Sequence, residues 1–182
     1  AKFHSTKYAV MVNSGSSANH LIFSALRLSS KFNIKEGDEI IVPSLGWSTT
    51  YSPLFFHNLK IKLIDINLST LNIDTDLIQK NITSKTKAIF LVNALGNPNH
   101  FDKIKKIARK NKIHILEDNC EAFGASFNNK LTGSFGLMSS FSFYYSHHLT
   151  TIEGGMILTS SKELYNILLS CLLYTSPSPR DY

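Results

Sequence analysis

Short apolar runs rich in β-branched residues recur along the chain, separated by longer segments in which apolar side chains return every three or four positions. Glu39-Ile40-Ile41-Val42, Ile61 to Ile66, Lys87 to Asn93 and Ile113 to Asp118 are almost continuously apolar, as strands covered on both faces are. Between them, Ser16 to Phe32, Ser48 to Asn58, Asp76 to Asn81 and Phe101 to Asn111 read as helices. The last places Ile104, Ile107 and Ala108 on one stripe and its lysines on the other. Farther on, Ser140 to Tyr144 and Gly155 to Ser160 read as two strands flanking a polar loop, and Lys162 to Ser170 as a closing helix. Alternation of this kind predicts an α/β fold: a three-layer αβα arrangement around a mostly parallel sheet. No internal repeat or low-complexity linker interrupts it.

Composition adds little to that picture and removes some alternatives. With 43% apolar and 18% charged residues in 182, the chain has the make-up of a globular domain with a sizeable core. A net charge of +6 suits an anionic ligand. Its lysines, such as Lys103, Lys105, Lys106, Lys110 and Lys112, spread over helix faces without interleaved aromatics, so neither nucleic-acid binding nor a membrane partner is expected. No apolar stretch approaches the roughly 20 residues that span a bilayer. Cys120 and Cys171, the two cysteines, make no disulfide framework, and a reducing cytoplasm is the expected location. The chain opens on Ala1, so truncation there is expected. The run from Cys171 to Asp181 resembles an in-frame translation of a sequencing adapter, so 171–182 is expected to be foreign and 1–170 a domain truncated at both ends.

Four places carry candidate chemistry. Asn13-Ser14-Gly15-Ser16-Ser17-Ala18-Asn19 is a small-residue turn into a helix: either a simple N-cap or a cradle where unpaired N–H groups and the helix dipole attract an anion. Pro43-Ser44-Leu45-Gly46-Trp47-Ser48-Thr49-Thr50 follows a strand, where ligands collect in open α/β sheets. Its Trp47, the single tryptophan, is either a core anchor or a stacking surface. Leu116-Glu117-Asp118-Asn119-Cys120-Glu121 also ends a strand, with Asp118 either capping a helix or presenting a carboxylate to a ligand. The fourth is the loop Ser142-Phe143-Tyr144-Tyr145-Ser146-His147-His148, in which a His pair by itself is as consistent with surface residues as with catalysis. No set of residues has convincing metal-ligand spacing, so no metal is expected.

Taken in order with Gly37-Asp38-Glu39-Ile40-Ile41-Val42-Pro43, Asp65-Ile66, Asn72-Ile73-Asp74, Leu95-Gly96-Asn97-Pro98, Gly133-Ser134-Phe135-Gly136 and Glu153-Gly154-Gly155, these segments resemble the sugar aminotransferases of the DegT/DnrJ/StrS type. The resemblance runs to about Ser170. It implies the large domain of a PLP-dependent transferase, of the aspartate aminotransferase fold, with pyridoxal 5'-phosphate or pyridoxamine 5'-phosphate as cofactor. It further implies Ser16, Ser17 and Ser142 on the cofactor phosphate, Trp47 stacked on the pyridine ring, Asp118 against the ring nitrogen and Glu121 near the 3-hydroxyl. Cys120 falls where iron–sulfur relatives place a cluster ligand. A cluster needs about four thiolates, and a small buried thiol is the other reading.

His147 stands where the family has its cofactor lysine. An imidazole takes and returns a proton but cannot make lysine's covalent link to an aldehyde. Together with Leu95-Gly96-Asn97-Pro98, this resembles the nucleotide-sugar 3-dehydratase branch. The implied reaction is loss of the C3 hydroxyl from a nucleotide-linked 4-keto-6-deoxy sugar, in making dideoxysugars for surface polysaccharide. Glutamate would serve as amino donor and the protein would be a homodimer. A 4-keto-sugar aminotransferase and a non-catalytic PLP-binding sensor on the same fold are the alternatives.

Overall fold

The structure is a computed structural model that describes residues 1–32 and 34–174. Seven strands form one sheet: β1 (Tyr8–Val12), β2 (Glu39–Pro43), β3 (Lys60–Ile64), β4 (Thr86–Val92), β5 (His114–Asp118), β8 (Met138–Ser142) and β9 (Gly155–Thr159). A two-stranded ribbon, β6 (Ser126–Phe127) with β7 (Lys130–Leu131), stands apart from it. The sheet order is β1-β9-β8-β5-β4-β2-β3. Strands β3, β2, β4, β5 and β8 pair in parallel, whereas β9 runs antiparallel to both β8 and β1. One reversed strand therefore interrupts an otherwise unidirectional sheet, and the mostly parallel α/β class read from the pattern is the class observed.

Alternation along each strand divides the core in two. Ile40 and Val42 of β2, Ala88 and Phe90 of β4 and Leu116 of β5 face α1 (Gly15–Leu28), α2 (Ser48–Phe56) and α5 (Lys162–Tyr174). Ile41, Ile89, Leu91 and Ile115, their neighbours in sequence, face α3 (Thr75–Asn81) and α4 (Phe101–Asn111). Phe23, Phe90, Phe101 and Phe141 are wholly buried, each contributing about 1.5–3 kcal/mol of transfer free energy. α1 begins where Ser14 Oγ accepts the Ser17 N–H, and its Ala18, Ile22, Ala25 and Leu26 keep the core stripe.

Several boundaries differ from the pattern. β1 was not anticipated: five residues with only a single 3-10 turn (Lys2–His4) before them make sense as a strand through pairing with β9, some 150 positions away. α1 stops at Leu28 and not Phe32, because Ser29 turns the chain, its hydroxyl accepting the Lys31 and Phe32 N–H groups. β3 ends at Ile64 because Asp65 bends the chain back, its Oδ1 accepting from Ile66 N–H and the Ser44 hydroxyl. α5 continues through Cys171 to Tyr174, four residues beyond the helix end anticipated at Ser170; 175–182 lie outside the described residues. On α4, Lys103, Lys106 and Lys110 are exposed, while Lys105 lies over the Phe135 ring at 4.5 Å. No helix among the described residues is long and apolar enough to cross a membrane.

The back face of β5 is fixed by a charge. Glu117 is completely buried and accepts three backbone N–H groups, from Gly133 (2.6 Å), Phe135 (2.8 Å) and Gly136 (2.7 Å). Burial pushes its carboxyl pKa up, and the three donors oppose that shift. The Gly133-Ser134-Phe135-Gly136 segment is thus a backbone wrap around one carboxylate. Gly133 sits at φ +84, where a Cβ would run into the Phe141 ring.

Burial lowers the imidazole pKa of His4, His57 and His114, with His20 adding to the effect at His57. His4 is held among Phe3, Phe123 and Phe141, its Nδ1 3.0 Å from the Thr132 carbonyl. The fold keeps these rings neutral while the unfolded chain protonates below about pH 6.5. The unfolded state then binds more protons, so stability falls as pH drops through that value. The urea midpoint is expected to decrease from about pH 7.5 to about pH 5.5, and to decrease less in His4→Phe. A midpoint that does not move over this interval would contradict the assignment.

Candidate active site

All the loops that leave the carboxyl ends of the parallel strands open on one side of the sheet. Because β9 runs the other way, the loop between β8 and β9 begins and ends on that side too. Together these loops enclose a cavity of about 930 Å³. Its walls come from Gly15 and Ser16 after β1, Leu45 to Trp47 after β2, and Ala94 and Leu95 after β4. Asp118 ends β5 with Cys120 and Glu121 after it, and Ser142 ends β8, with Tyr144, Ser146, His147 and Glu153 in the β8–β9 loop.

Asp118, on the opposite face of β5 from Glu117, is buried at 5% exposure yet lines the cavity. Its Oδ2 accepts from Asn19 Nδ2 at 2.9 Å and Thr50 Oγ1 at 2.8 Å, and its Oδ1 from the Cys120 N–H at 3.1 Å. It is therefore a presented carboxylate and caps no helix. Trp47 is 74% exposed, which removes the core-anchor reading. It is the residue before α2, and its ring is on the cavity wall.

At the start of α1 the two predicted serines separate. Ser16 lines the cavity and also a second cleft of about 750 Å³, whereas Ser17 lines only that cleft, its hydroxyl accepting from Ser14 Oγ at 3.1 Å. Gly15, the glycine of the small-residue turn, lines the cavity beside Ser16. A Cβ there would lie 2.6 Å from Ser142 Cβ and 2.7 Å from Cys120 Sγ. The absence of a side chain is what lets the β1 and β8 loops close on a common floor. Ser142 is 7% exposed, and its Oγ accepts the Tyr144 N–H at 3.3 Å.

Cys120 sits on that floor partly buried, its thiol pKa pushed well up by desolvation and by the Asp118 charge. This is a neutral thiol. Among the described residues no group of three or more His, Cys, Asp or Glu side chains could hold a metal ion. Glu121 accepts the Leu95 N–H at 3.2 Å, tying the β5 loop to the β4 loop. Leu95 is in the left-handed region at φ +51 and is 72% exposed. A set of asparagines holds that loop in place. Asn93 donates to Asn119 at 2.7 Å and accepts from Asn99, and Asn72 donates to the Asn97 and Pro98 carbonyls.

His147 lines the cavity, half-buried, with its ring 6.2 Å from that of Tyr144 in an edge arrangement. No side-chain hydrogen bond constrains it among the described residues. The backbone does, through His147 N–H to Tyr144 O at 3.0 Å. His148 is exposed and does not line the cavity. Sequence reasoning missed Asn19, Thr50 and Glu153. An Asn within the apolar stripe of α1 was the available signal for Asn19, while Glu153 is brought in only by the return of the loop.

The fold and the cavity define a cofactor-scale site in an α/β transferase architecture, floored by a carboxylate and roofed by an aromatic ring. Residues 1–178 match the DegT/DnrJ/EryC1/StrS aminotransferase family, and the chain belongs to it. It is 55% identical over 169 residues to the GDP-4-keto-6-deoxy-D-mannose 3-dehydratase of Escherichia coli, covering 93% of this chain and 44% of that protein. Among solved structures, the E. coli enzyme with bound hydrated PLP matches with a TM-score of 0.90 at 55% identity, over 93% of this chain and 43% of that one. A GDP-4-keto-6-deoxymannose 3-dehydratase with a trapped PLP-glutamate geminal diamine matches with a TM-score of 0.91 at 54% identity, over 93% and 44%. The chain thus spans less than half the length of these relatives.

The β1 and β9 ends meet at Gly155, where a Cβ would fall 2.3 Å from the Ser14 carbonyl oxygen and 2.8 Å from Gly15 N. Both are backbone atoms of the turn that starts α1. Gly155→Ala is expected to displace that turn and to cost about 1–3 kcal/mol in urea denaturation. An unchanged midpoint would show that this close approach is dispensable.

Proposed function

We propose that the protein carrying this chain is a 3-dehydratase of a GDP-linked 4-keto-6-deoxy sugar, using pyridoxal or pyridoxamine phosphate. The observation that carries this reading is His147 on the wall of the same cavity as Asp118, Trp47, Glu121, Ser16 and Ser142. The residues fit the cofactor. The start of α1 and the Ser16 and Ser142 hydroxyls suit a phosphate, Trp47 offers an exposed ring face, and Asp118 offers a fixed carboxylate. The floor is kept open by Gly15, where any side chain would fill the space. Ser17, turned into the neighbouring cleft, would support the phosphate turn through Ser14.

When bound, the cofactor supplies a pyridinium ring that withdraws electrons and, in its amine form, the nitrogen that joins the sugar's 4-ketone. Asp118 keeps the ring nitrogen protonated. Trp47 and the Leu95 loop, which Glu121 straps in place, would hold the ring. His147 takes a proton from the cofactor's C4′ carbon and returns it to the departing C3 hydroxyl, work for which imidazole is suited near neutral pH. Glutamate serves as amino donor, in keeping with the glutamate adduct held by the related structure. A cytoplasmic location follows from the nucleotide-sugar substrate class.

Large apolar residues stand exposed on the cavity wall, Trp47 at 74% and Leu95 at 72%, and on the β8–β9 loop, Tyr145 at 67% and Ile152 at 77%. Ile152 is in addition a β-branched residue at φ +70, a conformation that costs free energy unless contacts hold it. Both features support a homodimer closing over the site.

With histidine in place of lysine the cofactor is held noncovalently, so borohydride treatment of the loaded full-length protein is expected to leave nothing attached. Recovery of a reduced cofactor adduct on any lysine overturns the reading. Incubation with glutamate and the keto-sugar is expected to release ammonia and a 3-deoxy sugar; an amino-sugar product would instead identify an aminotransferase. His147→Lys is expected to abolish deoxygenation and to bind the cofactor covalently. Retained deoxygenation in that variant would remove His147 as the base.

A further inference from the structure

A carboxylate offers about four lone-pair positions, two on each oxygen. On Asp118 both positions of Oδ2 are taken, by the Asn19 amide at 2.9 Å and the Thr50 hydroxyl at 2.8 Å. Oδ1 accepts the Cys120 N–H at 3.1 Å. The one further donor at this carboxylate among the described residues is the weak S–H of Cys120. The oxygen with room for a strong new donor is therefore Oδ1.

The orientation of Asn19 is forced by a proline. Pro53 lies inside α2 and has no N–H, so the carbonyl of Thr49, four residues earlier, has no helical donor. That carbonyl accepts the Asn19 amide instead, at 3.2 Å. The amide nitrogen thus faces two acceptors, Thr49 O and Asp118 Oδ2, and the buried Asn19 Oδ1 is without a partner. Turned over, the side chain would aim its own oxygen at two others. Asn19 is fully buried and Thr50 is 1% exposed, so both bonds to Asp118 are shielded from water, where they are strong.

We propose that Asn19 and Thr50 are positioning residues that clamp Asp118 from its Oδ2 side and assign Oδ1 as the oxygen that accepts the cofactor's ring N–H. This rests on the reading of Asp118 as the ring-nitrogen partner. The clamp acts in two ways. It fixes the carboxylate in rotation, and its two donors favour the charged form, which in turn favours a protonated ring. The titratable groups around Asp118 are the Cys120 thiol on the same loop, the Tyr51 phenol on α2, and Glu121, Glu153 and His147 on the cavity wall. Lining residues from α1 are uncharged.

The test is a pH titration of the ring-nitrogen chemical shift of isotopically labelled PLP bound to the full-length protein, alongside its dissociation constant. Thr50→Val and Asn19→Leu are each expected to lower the pH at which the ring loses its proton by about one unit, a tenfold change. Each is also expected to weaken PLP binding about three- to tenfold. Thr50→Ser, which restores a hydroxyl, is expected to titrate as the unmodified protein does. Asp118→Asn is the reference and is expected to give the largest shift. If Asp118→Asn shifts the titration and Thr50→Val and Asn19→Leu do not, the clamp is overturned and the assignment of Asp118 stands. If Thr50→Ser shifts as far as Thr50→Val, packing and not the hydroxyl is responsible, and the clamp is likewise overturned. An Asp118→Asn protein that titrates normally removes the assignment of Asp118, and the clamp with it.

Discussion

Two adjacent carboxylates on β5 point to opposite faces of the sheet, and most of the site's geometry depends on that opposition. In a strand, neighbours in sequence face opposite ways. Glu117 goes to the back, where three backbone donors gather round it and fix the 133–136 segment. Asp118 goes to the front, where donors from α1, α2 and its own loop hold it at the cavity floor. Slipping β5 by one residue would exchange the two environments, placing a longer side chain at the floor and a shorter one in the wrap. Pairing with β4 on one side and β8 on the other prevents that slip.

Around this centre the front loops are joined by side-chain amides more than by charges. Asn19 links α1 to β5, Asn93 links β4 to Asn119 and to Asn99, and Asn72 holds the 97–98 carbonyls. Amides offer donors and an acceptor together without a net charge to desolvate, which suits a buried cavity floor. Only three ion pairs occur among the described residues, none of them at the cavity.

The parallel strands and all five α-helices described above were legible because period-two and period-3.6 patterns survive in buried elements, and Phe101–Asn111 was read to the residue. Strand β1 was not, since its pairing with β9 is a relation between distant segments. At the site, Trp47, Asp118, Ser142 and His147 were found through motif order, and the cavity brings them together. Ser17 shows the limit. Two neighbouring serines at a helix start look alike in sequence, but with 100° of helical rotation between them only Ser16 reaches the large cavity, while both line the neighbouring cleft. Thr50 was invisible for a different reason, because an uncharged residue acquires its role only from the carboxylate it meets, and Asn19 showed itself only as a polar residue on an apolar stripe.

The reversal of β9 has a consequence for how such a site diverges. The chain leaves the sheet at Ser142 and comes back at Gly155 on the same edge, both ends anchored, Phe143 to Gly154 by N–H···O at 2.9 Å and Gly155 against the Ser14 backbone. His147 hangs from a span whose path is set by its endpoints, and its own side chain makes no bond on which that path depends. Exchanging the residue at this position leaves the scaffold's route intact while altering what lines the cavity. Side chain and scaffold are thereby separable here: the residue that this span offers to the cavity can change without refolding the loop that carries it.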